Sequence, residues 1–148
     1  MANTDQWVLG QAYTDTLISS GLASLAAGSW AKGSTAITAG LLDQYGRWSF
    51  AFILSSAATS GDYVALYGLP LNQDGTTYGD NTAAGTTLPS STYLLGTCFV
   101  SGTNIVGSIP FYMPERSFIF GVANRCTPNF TSGTQTSRYA TFRDNLNA

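Results

Sequence analysis

Tyr45-Gly-Arg-Trp-Ser-Phe-Ala-Phe-Ile-Leu-Ser-Ser-Ala-Ala-Thr-Ser-Gly-Asp-Tyr-Val-Ala-Leu-Tyr-Gly-Leu-Pro70 is the densest apolar stretch of the chain. In its first half Trp48, Phe50, Phe52 and Leu54 alternate with Arg47, Ser49, Ala51 and Ile53. A period of two is what side chains follow on a strand with one face against a core. In the second half Val64 and Leu66 alternate with Tyr63, Ala65 and Tyr67, and both sets suit burial, so a strand covered on both faces is predicted. Ser60-Gly61-Asp62 between them has the chemistry of a turn.

Further strands are predicted outward from this pair. Upstream lie two moderately apolar candidates, Leu22 to Trp30 and Ser34 to Leu42, split by Lys32-Gly33. Downstream, Thr92 to Val100 sets Tyr93, Leu95 and Phe99 on one face, and Phe118, Phe120 and Val122 alternate with Ser117, Ile119, Gly121 and Ala123. Arg138 to Arg143 closes the series. Pro110 inside Ile105 to Met113 lacks an amide proton, which places that segment at a sheet edge or a bulge. About eight strands and no long helix predict an all-β chain, an antiparallel β-sandwich of jelly-roll type. Residues 1–20 stand apart as an N-terminal arm or short helix. Leu9, Tyr13 and Leu17 recur at a spacing of four, while the glycines at 10 and 21 weaken a helix. Residues 21–148 then form a single sandwich domain.

Composition narrows the function. Only 9% of the 148 residues are charged, against about 25% in ordinary globular proteins. Net charge is −2 with six cations in all, which leaves no basic stripe to follow phosphates and argues against a nucleic-acid partner. Phe50 to Leu54, the longest apolar block, is too short to cross a bilayer. Without a basic segment leading into an apolar run, the chain is expected to be soluble and made in the cytosol, with no membrane partner. So few charges oppose close approach only weakly, and such a surface suits packing against other proteins.

Chemistry-bearing motifs are sparse. The chain has no histidine, the commonest general base and zinc ligand. Ser29 and Lys32 have Ser-x-x-Lys spacing, but glycines flank them where a helical turn is needed. Gly28 to Thr35 has phosphate-loop glycines, yet Ser34 stands where the lysine belongs. Asn72, Asp74 and Asp80 could offer oxygens to calcium, but no bidentate glutamate follows at the required spacing. Cys98 and Cys126 lack metal-ligand spacing and are read as buried thiols. No catalytic residue, metal or cofactor is therefore expected. The contact candidates are Tyr63, Tyr67 and Tyr78, amphipathic rings suited to a partly wet surface, with Asp74 and Gly75 at the sharpest turn of the 71–90 loop. Trp7 and Tyr13 are the candidates on the arm.

Three groups of residues, taken in order, carry a resemblance. They are Leu22-Ala-Ser-Leu-Ala-Ala-Gly-Ser-Trp-Ala-Lys-Gly-Ser-Thr-Ala-Ile37, then Asp62-Tyr-Val-Ala-Leu-Tyr-Gly-Leu-Pro70 with Asp74-Gly-Thr-Thr-Tyr-Gly-Asp80, and Phe118-Ile-Phe-Gly-Val-Ala-Asn124. Over about residues 20 to 143 the chain resembles small virion proteins of tailed bacteriophages, of the β-sandwich capsid decoration (cement) type. Cys126 to Thr136 departs from the pattern. The resemblance implies a structural subunit without turnover, made in the host cytoplasm and located in the virion. Its partners would be the major capsid protein and copies of itself. The alternative is a glycan-binding module of a phage tail or fibre, using Tyr63, Tyr67, Tyr78 and the 71–90 loop.

Overall fold

The computed structural model describes residues 7–15, 18–34, 36–38, 43–113 and 117–144. Its elements are β1 (Trp7–Asp15), α1 (Ser19–Leu22), β2 (Trp30–Lys32), β3 (Tyr45–Ile53), β4 (Tyr63–Pro70), β5 (Leu94–Phe99), β6 (Asn104–Tyr112), β7 (Phe118–Arg125) and β8 (Thr136–Asp144). Two four-stranded sheets run in the orders β1-β8-β3-β6 and β2-β7-β4-β5. Every pairing is antiparallel. The first strand pairs with the last, the second with the seventh, the third with the sixth and the fourth with the fifth. One long antiparallel ribbon is thus rolled up, with residues 71–93 as its closing turn, and β3 against β8 and β4 against β7 complete the sheets. This is the antiparallel sandwich of jelly-roll type expected from about eight strands and no long helix.

β3 buries Gly46, Trp48, Phe50 and Phe52 and leaves Arg47 and Ile53 exposed. β4 is covered on both faces, as expected: Val64 and Leu66 lie between the sheets, while Ala65, Tyr67 and Leu69 join a second apolar cluster with Trp30, Ile119 and Ala123. The two strands are not neighbours in one sheet, because the segment between them crosses the sandwich. The turn at its end is present, with Gly61 at φ +92° and Asp62 accepting from the Thr59 amide at 2.8 Å. Asp62 also accepts from the Thr127 amide and hydroxyl, so this crossing is tied to the segment after β7.

Aromatic rings fill the space between the sheets. Phe120 lies 4.2 Å from Trp48, 5.0 Å from Phe118, 5.3 Å from Phe111 and 5.8 Å from Tyr139 between ring centroids. Phe50, Phe52 and Phe130 stack in sequence beside them. Buried polar groups are satisfied: Trp48 Nε1 donates to Ser137 Oγ at 2.8 Å, and Asn124 Nδ2 donates to the Leu25 and Pro128 carbonyls. Among the described residues no buried side-chain nitrogen or oxygen lacks a partner.

Three expectations are corrected. Trp7–Asp15 is not an arm but an edge strand along β8, because β8 would otherwise present nine unpaired residues at a sheet edge. The helix spacing of Leu9 and Tyr13 does not prevail; Leu17 lies outside the described residues. The short helix is α1, farther along. Leu22 to Trp30 is not a strand: positive φ at Ser24 and Gly28 turns the chain, and Ile18, Leu22 and Leu25 plug one end of the core. Of Ser34 to Leu42, Ile37 forms an isolated bridge to Phe118, and residues 35 and 39–42 lie outside the described residues.

Phe120 is the ring most others touch, so Phe120→Ala is expected to destabilise the fold by about 3–5 kcal/mol, the range for deleting a buried aromatic. Urea unfolding measures this as a lowered midpoint at unchanged slope.

Candidate functional site

The 71–90 loop lies over the outer face of the second sheet rather than projecting from it. Two backbone hydrogen bonds join Trp30 to Gly85, and Trp30 Nε1 donates to the Ala83 carbonyl at 3.1 Å. Lys32 Nζ donates to the Thr82 carbonyl at 3.2 Å, with its ammonium 5.9 Å from the Trp30 ring centroid. The loop therefore closes the free edge of β2. It also covers the second apolar cluster, against which Tyr63, Tyr78, Leu88 and Tyr93 pack.

This cover accounts for most of the residues singled out in the sequence. Tyr67 is 5% exposed and offers no ring to a partner; burial pushes its phenol above the usual range. Tyr63 and Tyr78 are half-buried on the same layer. Tyr78 belongs to the loop itself and the Tyr63 ring lies 6.0 Å from that of Phe99, so with Tyr67 buried the three do not form one open platform. Asp74 and Gly75 remain exposed at the tip, Gly75 with φ +72°. Asp74 accepts from the Thr77 hydroxyl at 2.6 Å and from the Thr77 and Thr76 amides at 2.9 Å. Asp80 accepts from the Thr82 hydroxyl and amide and the Ser90 amide. Asn72 donates its amide to Thr77 Oγ1 and to the Gly79 carbonyl. These oxygens serve the loop, and among the described residues no three Cys, Asp or Glu side chains converge as metal ligands. Trp7 and Tyr13 lie on β1, away from this layer; their side chains are outside what is described.

The cysteines remain thiols. Burial pushes Cys126 up to about 11, which disfavours the thiolate a nucleophile requires.

The other broad surface is the outer face of the first sheet, which has no covering loop among the described residues. Directly opposed residues of an antiparallel pair share a face, so the register reads across it. Leu9, Phe142, Tyr45 and Tyr112 form one row over all four strands. Tyr112 is 77% exposed and Leu9 49%, with the Tyr45 and Tyr112 rings 5.1 Å apart. The next rows are Ala140-Arg47-Pro110, Arg138-Ser49-Ser108 and Thr136-Ala51-Val106. Val106 is 75% exposed. A shallow groove of about 620 Å³ runs between Ala51, Val106, Ser108, Thr136 and Arg138. By alternation alone the odd positions of β3 are only the face away from the core. Their meaning depends on β6 and β8, which strand alternation alone does not bring alongside.

Donation by the Thr77 hydroxyl, then by the two amides, holds the Asp74 carboxyl down at about 2. A lowered folded-state value means that its contribution is complete above the ordinary carboxylate range and is lost as pH falls through about 2. The Thr76 and Thr77 amide proton shifts should therefore titrate with a midpoint near 2. In a disordered loop the midpoint would be about 4. No protein-family model matches the chain, and no curated protein matches it in sequence.

Proposed function

We propose that the chain is a structural subunit of a bacteriophage particle, a capsid decoration or cement protein that acts by buried contact with the major capsid protein and not by turnover. The supporting observation is the outer face of the first sheet, where Leu9, Phe142, Tyr45 and Tyr112 line up across four strands, Leu9 and Tyr112 exposed and Tyr45 and Phe142 half-buried. Contiguous exposed apolar surface of this kind marks a protein-binding face. Aromatic anchors contribute most to such contacts. Few charges in the chain mean few ions to desolvate on docking. Arg47, exposed between Pro110 and Ala140, selects a partner that brings a carboxylate to that point. The glycan-binding alternative needs Tyr63, Tyr67 and Tyr78 with the 71–90 loop as an open platform; Tyr67 is buried, and Tyr63 and Tyr78 are partly buried against the same cluster, so the protein-binding reading is preferred.

Purified protein incubated with undecorated capsids at near-physiological salt is expected to saturate them at a fixed ratio; absence of binding sinks the proposal. Leu9→Asp combined with Tyr112→Asp should weaken binding at least about tenfold, or about 1.4 kcal/mol. Both side chains are exposed, so the far-UV circular dichroism should not change.

A further inference from the structure

Four strands end the two sheets, and three of them are blunted. β2 is covered by Gly85. β1 carries register shifts between Leu9 and Gln11 and between Gln11 and Thr14, and ends on Asp15. The pairing of β5 shifts at Leu66/Tyr67. β6 differs from these. It pairs with β3 at every position from Asn104 to Tyr112 without a shift, and no backbone bridge among the described residues occupies its far side. No charged residue occurs anywhere from Leu94 to Tyr112. A long, regular, uncharged edge is a template for adding another strand, and natural sheets usually prevent this with charge, proline or bulges. The one such device here is Pro110, which leaves Asn104 to Ile109 open.

We infer that β6 is a self-association edge, to which β6 of a second copy adds antiparallel about a two-fold axis to form a continuous sheet. A second copy fits on charge: neither edge carries any, so apposition sets no like charges against each other, and the −2 on each chain repels weakly. It also fits on geometry. A two-fold at Val106 keeps the outer faces aligned, sets Val106 against Val106 of the second copy, and sets Asn104 against Ser108 of the second copy. A β-branched pair at the axis is a favourable cross-strand contact. Contact through one strand falls at the small end of specific interfaces, below about 1,200 Å², so the dimer is concentration-dependent. This inference does not rest on capsid binding, which uses the sheet face.

Sedimentation velocity of the full chain alone, over a concentration series, tests it. A reversible monomer–dimer equilibrium is expected. Val106→Lys, which would oppose two ammonium groups at the axis, should weaken it at least about tenfold. Val106→Thr, β-branched and uncharged, should keep it. Val106 is an exposed residue, and near-UV circular dichroism should show both variants folded. A wild-type monomer at every concentration, or a Val106→Lys variant that dimerises like the wild type, overturns the inference. Capsids are absent from the measurement, so its failure leaves the decoration proposal standing.

Discussion

Trp48 lies against Phe120 at 4.2 Å between ring centroids, and the rest of the sandwich is built around that contact. Trp48 comes from β3 and Phe120 from β7, so the pair joins the two sheets at their middle strands. The indole N–H, fully buried, has to find an acceptor inside the core. Ser137 on β8 supplies it at 2.8 Å. One residue thus ties the spacing between sheets to the register of β3 against β8. Slipping that register by one residue would turn Arg47 and Ser49 inward and expose three aromatic rings, which explains why a single pairing is selected.

Rolling a ribbon into two sheets leaves its closing turn and its edges to be managed. The turn here, residues 71–93, folds back over the second sheet and bonds to β2, so a segment rich in glycine and threonine works as a wall. Its carboxylates and Asn72 are used internally, each accepting or donating within a few residues of itself or to the end of the loop. A loop held in this way has little ordering entropy left to lose, and its tip is presented as a rigid feature. Tyr67 beneath it and Tyr78 and Tyr93 within it supply apolar area to the second cluster.

The two sheets therefore present different outsides to water. One is covered by the chain itself. The other shows an aromatic row, a shallow groove and two arginines, with Asp15 at the register position opposite Arg138. A face like this is costly to leave in water and cheap to desolvate, since apolar area is released and few ions are stripped of solvent. Contact by buried area, with specificity set by ring positions and one or two charges, is what such a face can do physically.

Strand alternation in Tyr45 to Pro70 was sufficient by itself to determine that β3 would bury Trp48, Phe50 and Phe52 and that β4 would be covered on both faces, and Pro110 limited its segment to an edge or a bulge, of which the structure shows the edge. Those are properties of a period of two and of a missing amide proton, both of which are local. What only the tertiary structure decided is which strands become neighbours. It placed β3 and β4 in opposite sheets, turned residues 7–15 from a free segment into an edge, laid the 71–90 loop over Tyr67, and aligned Leu9, Phe142, Tyr45 and Tyr112. These four residues are far apart in the chain, and only backbone pairing between distant strands creates the row. Alternation specifies which face of a strand is buried, but it carries no information on the strand beside it.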